Sequence, residues 1–201
     1  MQQVKRTFLY SFLLFGLTSF SAQAKNGYKI KLNFTDVKES TKIWLGHYHG
    51  KGGSVYRVDS VILIKGKGIL QSKSEITGGI YALIFKDKTS MELILLNGDQ
   101  FSIQTKKSDM SKSLVLKGNT ENHIFQDYQK FLLQYSQEYS KLKSDYTQAK
   151  SKKDSATISN ELNEKGKQLK EYRSSIIKKN PNTFPFGYIK CYRAKTIVGV
   201  V

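Results

Sequence analysis

Cysteine occurs once, proline twice and histidine three times in the 201 residues. The single thiol, Cys191, excludes an internal disulfide framework, a Cys-x-x-Cys redox pair within the chain and a multi-cysteine zinc cluster. Three histidines (His47, His49 and His123) leave little material for metal chemistry. Acid is scarce as well, with 16 Asp+Glu against 33 Lys+Arg, a formal charge of +17. No Gly-x-Ser-x-Gly elbow, His-Glu-x-x-His pair or phosphate-cradling P-loop occurs. The sequence Gly66-Lys67-Gly68 has no following helix to complete a phosphate site and reads as a turn. Beyond the first 24 residues no stretch is apolar enough to span a bilayer.

The chain opens with Lys5-Arg6, the apolar run Phe8–Leu17 and the small-residue ending Ala22-Gln23-Ala24. That order predicts a secretory signal peptide over 1–24, cleaved after Ala24 to release a periplasmic protein. The run is well short of the roughly 20 residues a spanning helix needs. Removal of two basic residues leaves 31 minus 16, or +15, so the basicity belongs to the exported part. Its charges are dispersed, with 16 basic and 8 acidic residues over 25–118 and 12 and 8 over 119–184. Dispersed lysine in an exported protein argues against nucleic acid and leaves anionic envelope surfaces as candidate partners.

From Gly27 to Gly118 the apolar period is two, as in Tyr28-Lys29-Ile30-Lys31-Leu32-Asn33-Phe34. Seven further strands are expected over 42–48, 55–64, 68–72, 79–86, 91–96, 100–105 and 113–117. Glycine- and Asn/Asp-rich punctuation at 50–53, 65–68, 87–88 and 97–99 predicts hairpin turns between them. After Gly118 the period becomes three to four: Ile124, Phe125, Tyr128, Phe131, Leu132, Tyr135, Tyr139, Leu142 and Tyr146 form one stripe. Asn119 or Thr120 is the expected cap, Lys150–Asp154 the break, and Asp154 or Ser155 the cap of a second helix that Pro181 ends. The fold class is α+β: an antiparallel β-sandwich-like domain over 25–118, an antiparallel helical hairpin over 119–180, and a tail over 181–201.

Chemistry-bearing residues are few. His47 and His49 share a strand face but have no third ligand in the sequence and read as surface polar residues. Asp59-Ser60 inside an apolar strand reads as satisfying backbone groups at a bulge or edge. Cys191 lies between Lys190 and Arg193, the kind of cations that can lower a thiol pKa, but exposure near a chain terminus is the simpler account and no resolving partner is present. No catalytic, metal or cofactor-binding residue emerges, and the protein is expected not to be an enzyme. Trp44, Tyr48 and Tyr56, beside the Gly50–Gly53 loop, are the candidate ligand-binding residues, an aromatic row suited to a glycan or peptide.

Gly27-Tyr28-Lys29-Ile30-Lys31, Trp44-Leu45-Gly46-His47-Tyr48, Val58-Asp59-Ser60, Gly78-Gly79-Ile80-Tyr81, Phe101-Ser102-Ile103 and Leu116–Asn122, taken in order, resemble a known module. It is the domain of unknown function that precedes thioredoxin-like domains in exported bacterial thiol-disulfide oxidoreductases. The likeness spans about residues 27–184. It implies an amino-terminal accessory domain whose partner is a thioredoxin-like domain, with the redox Cys-x-x-Cys lying in that later fold. Here the chain ends first, as a truncated member would, and no catalytic residue is carried over. The leading expectation is a non-catalytic accessory or interaction domain; the alternative is a periplasmic glycan- or peptide-binding protein.

Overall fold

A computed structural model describes residues 26–49, 54–181 and 183, without the side chain of His49. The expected signal peptide, the Gly50–Gly53 turn, Cys191 and most of the tail lie outside these residues. Strict alternation produces the first strand, β1 (Tyr28–Phe34), in which Tyr28, Ile30, Leu32 and Phe34 are buried and Lys31 is exposed. The other strands are β2 (Thr41–His49), β3 (Ser54–Leu63), β4 (Lys67–Ser72), β5 (Gly79–Phe85), β6 (Ser90–Leu95), β7 (Asp99–Thr105) and β8 (Val115–Lys117). They form two four-stranded sheets, β4-β1-β7-β8 and β3-β2-β5-β6. The inner faces share one core in which Ile30, Phe34, Ile43, Leu45, Leu63, Leu83 and Leu93 are fully or almost fully buried, with the Phe34 and Phe85 rings edge to face at 4.9 Å.

The sheets are not wholly antiparallel as expected, because β1 and β7 pair in parallel, Tyr28 beside Asp99 through Phe34 beside Thr105. The cause is the Asn97-Gly98 turn, which is not a hairpin within one sheet but carries the chain from β6 in the second sheet to β7 in the first. Gly98 N donates to Gly27 O at 2.6 Å and Gly27 N donates to Asn97 Oδ1 at 2.8 Å. The two strands therefore start at the same end and run together. Lys65-Gly66 is a two-residue turn with both φ positive, 50° and 76°. It is closed by Ile64 N to Lys67 O at 2.9 Å and Lys67 N to Ile64 O at 3.0 Å, after which the strands diverge into different sheets.

Asn119 caps the first helix, α1 (Thr120–Gln148), its Oδ1 accepting from Asn122 N at 2.7 Å. The second helix, α2 (Lys152–Lys179), starts earlier than expected: Ser151 is its cap, accepting from Asp154 N at 3.1 Å. Only 149–151 break the helices, since Lys152 and Lys153 are good helix formers and Asp154 suits the positive end of the helix dipole. Asn180 closes α2 just before Pro181. The helices fold back as an antiparallel hairpin. Neither described helix is long and apolar enough to cross a membrane, which says nothing of strands.

Candidate functional site

The side chains with most to offer a partner lie on the outer face of the second sheet and along the hairpin that grows from it. On β6 the outer edge has no neighbouring strand among the described residues, so its backbone groups need other partners. Asn122, fully buried in α1, supplies them: its Oδ1 accepts from Ile94 N at 2.7 Å and its Nδ2 donates to Ile94 O at 2.7 Å. One turn on, Gln126 Nε2 donates to Glu92 O at 2.9 Å, and Gln129 Nε2 donates to the Glu92 carboxylate at 2.9 Å. The helix thus stands in for a fifth strand. Phe125 turns inward from the same helix onto Ile80 and Ile94, with Tyr48 and Leu96 around them. Tyr48 is therefore half-buried against the root of α1.

Trp44 lies farther along the same face of β2 and is half-exposed. The Arg57 guanidinium sits 4.4 Å from its ring centroid and Lys42 Nζ 5.9 Å away, so the ring is roofed by cations. Tyr56 is 61% exposed but not on this face. A bulge between Leu45 and Gly46 makes Val58 an extra residue: Leu45 faces Asp59 while Gly46 faces Arg57. Tyr48 is consequently opposite Val55, and Tyr56 is opposite His47 on the inner-facing side. Trp44, Tyr48 and Tyr56 do not form one row. Asp59 sits beside this bulge on an edge strand, accepting from Ser60 N at 2.6 Å and from the Tyr28 hydroxyl at 2.5 Å, the role expected for it. Burial, and then this carboxylate, push the Tyr28 hydroxyl well above its usual range.

His47 stacks on Tyr81 with centroids 4.3 Å apart, and His123 is exposed on the first turn of α1. No group of three or more His, Cys, Asp or Glu side chains that could hold a metal occurs among the described residues.

Residues 28–125 match DUF4369, a domain of unknown function. Comparison with curated proteins and with solved structures finds no match. The match to DUF4369 runs past β8 and ends at Phe125. It thus takes in the Asn119 cap, the Asn122 clasp on Ile94 and the ring that seats α1, and stops just short of Gln126 and Gln129, whose hydrogen bonds to Glu92 continue the contact between the helix and β6.

Alongside and beyond those glutamines, α1 packs on α2. Tyr128, Leu132 and Ile176 are buried between them, and the Arg173 Nε donates to the Tyr128 hydroxyl at 2.8 Å. Burial raises the Tyr128 hydroxyl pKa, and Arg173 draws it partly back. Phe131 stacks on Tyr172 at 3.8 Å, Tyr135 on Phe131 at 6.2 Å and Tyr139 on Tyr135 at 5.8 Å. Exposure grows along this ladder, from 0% at Tyr128 to 37% at Tyr139 and 44% at Tyr146. An open cleft of about 700 Å³ lies between the outer halves of the helices, with Leu142 and the Lys165–Glu138 ion pair among its lining. Sequence reasoning found the stripe but not Asn122, Gln126 or Arg57. A buried amide within an apolar stripe was the available signal for Asn122; Arg57 depends on the register of the bulge, which Asp59-Ser60 hints at without fixing.

Proposed function

We propose that the protein is a non-catalytic interaction module of an exported thioredoxin-like system, with the helical hairpin as its docking arm. One observation supports this reading above the rest: the tyrosine ladder that seats the hairpin continues outward into exposed rings. At a rise of 1.5 Å per residue the 29 residues of α1 reach about 43 Å, and only its first turns contact the sheet. The two helices leave Tyr139 and Tyr146 exposed at the outer end of the stripe, and tyrosine supplies large contact area at small entropic loss with a hydroxyl left for a partner. The choice of a thioredoxin-like partner comes from the sequence resemblance.

Titration of a purified exported thioredoxin-like oxidoreductase into the protein, followed by calorimetry, tests the reading. Saturable binding is expected, reduced at least tenfold in Tyr139→Ser/Tyr146→Ser with helicity retained. Binding unaffected by those changes, or none at all, refutes it. The glycan- or peptide-binding alternative takes its place if a ligand array gives a saturable signal that Trp44→Ala abolishes with the fold intact.

A further inference from the structure

The hairpin packs on β6 of the second sheet, and the first sheet has an outer face of its own. The register places Lys29 beside Gln71 and Gln100, Lys31 beside Ile69 and Ser102, and Asn33 beside Lys67 and Gln104. Lys117 extends the middle row from β8, opposite Ser102. Four lysines thus stand among amide, hydroxyl and aliphatic side chains, and no acidic side chain stands on the three rows. None of the four has an ion-pair partner among the described residues, where the salt bridges formed use Lys107, Lys130, Lys165 and Lys167. The acid at one end of this sheet, Asp36, is turned onto backbone, accepting from Lys107 N at 2.6 Å and Ser108 N at 2.9 Å. With strands about 4.8 Å apart and same-face residues about 6.8 Å apart, the patch measures about 14 by 14 Å.

We propose that this face docks on an anionic lipid surface. Charge complementarity identifies the occupant. The lysines form a two-dimensional array of point charges spread across β4, β1 and β8 rather than along one line, and none of them offers a guanidinium fork to grip a single phosphate in two places. A plane of phosphate headgroups meets all four at once. The face lies on the opposite sheet from the one that carries the hairpin, so docking leaves the arm free for its own partner, and the inference does not depend on which partner that is.

The test is sedimentation of the full chain with vesicles of phosphatidylcholine containing 40% phosphatidylglycerol, against pure phosphatidylcholine vesicles. The readout is the ratio of the two partition coefficients, so any binding common to both vesicles cancels. A lysine at an anionic surface contributes about fivefold to partitioning. Lys31→Gln/Lys117→Gln should therefore lower the ratio about 25-fold, and the loss should shrink as salt is raised. A control of equal charge, Lys141→Gln/Lys170→Gln on the hairpin, should leave the ratio within twofold, with near-ultraviolet circular dichroism confirming that both variants are folded. Equal losses in the two variants would attribute binding to diffuse charge and overturn the proposal. Preference for a soluble acidic polysaccharide over the anionic vesicles, with the same dependence on Lys31 and Lys117, would also overturn it in favour of a polymer ligand. No preference of the unaltered chain for anionic vesicles would end it outright.

Discussion

Replacing Asn122 should show that the helix start belongs to the same cooperative unit as the sheets. The side chain is fully buried and makes two 2.7 Å hydrogen bonds to one residue, accepting from Ile94 N and donating to Ile94 O. Asn122→Ala leaves both backbone groups unsatisfied, at about 1–3 kcal/mol each, or about 2–6 kcal/mol together. Against a domain stability of about 5–15 kcal/mol this is a large fraction. At about 2–4 °C per kcal/mol for a fold of this size, the midpoint of thermal unfolding should fall by about 5–20 °C, toward the low end if water enters the vacated space. Asn122→Asp separates this cause from simple loss of volume. As the neutral acid it can accept from Ile94 N and donate its O–H to Ile94 O; ionised, it is a buried charge facing a carbonyl. Its folded pKa is therefore raised above the unfolded value of about 3.9, so its stability is present below that pH and lost as pH rises through the folded pKa. Urea unfolding of the full chain, followed by far-ultraviolet circular dichroism between pH 3 and 8, should show a deficit against the unaltered protein that widens with pH. A deficit independent of pH, or an alanine variant within 1 kcal/mol of the unaltered protein, would refute the argument.

Asp36 makes a pH prediction of opposite sign. Against a desolvation that raises its pKa, the backbone N–H groups of Ser108 and Lys107 and the Ser108 hydroxyl hold it at about 2, below the ordinary 3.8. Its contribution is present above about pH 4 and lost as pH falls through about 2, and Asp36→Asn should flatten that part of the urea-midpoint profile. Gly66→Ala should destabilise by about 1–3 kcal/mol or more in the same assay, because an added Cβ would lie 2.0 Å from Phe34 O at a residue with φ of 76°. Tyr28→Phe removes the hydroxyl that donates to Asp59 and should cost about 1–2 kcal/mol, read as a lower urea midpoint.

Element type was legible wherever local chemistry decides it. Alternation in β1 and the shift of period after Gly118 are properties of contiguous residues, and the structure follows both. Pairing direction was not legible. Whether β7 runs with or against β1 depends on the Asn97-Gly98 turn binding Gly27, a contact between residues 71 positions apart. The cap of α2 was misplaced because Ser151, Asp154 and Ser155 are all candidate caps within five residues, and Ser151 wins by reaching Asp154 N. At the root of the hairpin, the apolar stripe was visible while its polar clasp was not. A buried asparagine looks unfavourable in a helix until the unpaired edge of β6 is there to receive it.

The bulge in β3, hinted at by Asp59-Ser60 but with no signal for its register, is the most consequential feature of the sheet. A regular ladder continuing from the Trp44–Ser60 pair would bring Tyr48 opposite Tyr56 and put the three rings on one face, the arrangement an aromatic platform needs. The extra residue shifts the pairing by one, substitutes Arg57 for Tyr56 on that face, and lays its guanidinium over Trp44. The chain contains one tryptophan, so fluorescence reports this site alone. In the bulged register Arg57→Ala unroofs the indole: its emission should shift to the red and acrylamide quenching should rise, while the loss of a half-exposed cation–π contact costs only about 0.5–1 kcal/mol and leaves the fold intact. Tyr56→Ala should leave both signals unchanged, since that ring stands on the other side of the sheet. In the regular register the dependence reverses, with Arg57 beside His47 and Tyr56 on the Trp44 face. A tryptophan signal that responds to Tyr56→Ala and ignores Arg57→Ala would restore the aromatic row and, with it, the case for a glycan or peptide ligand.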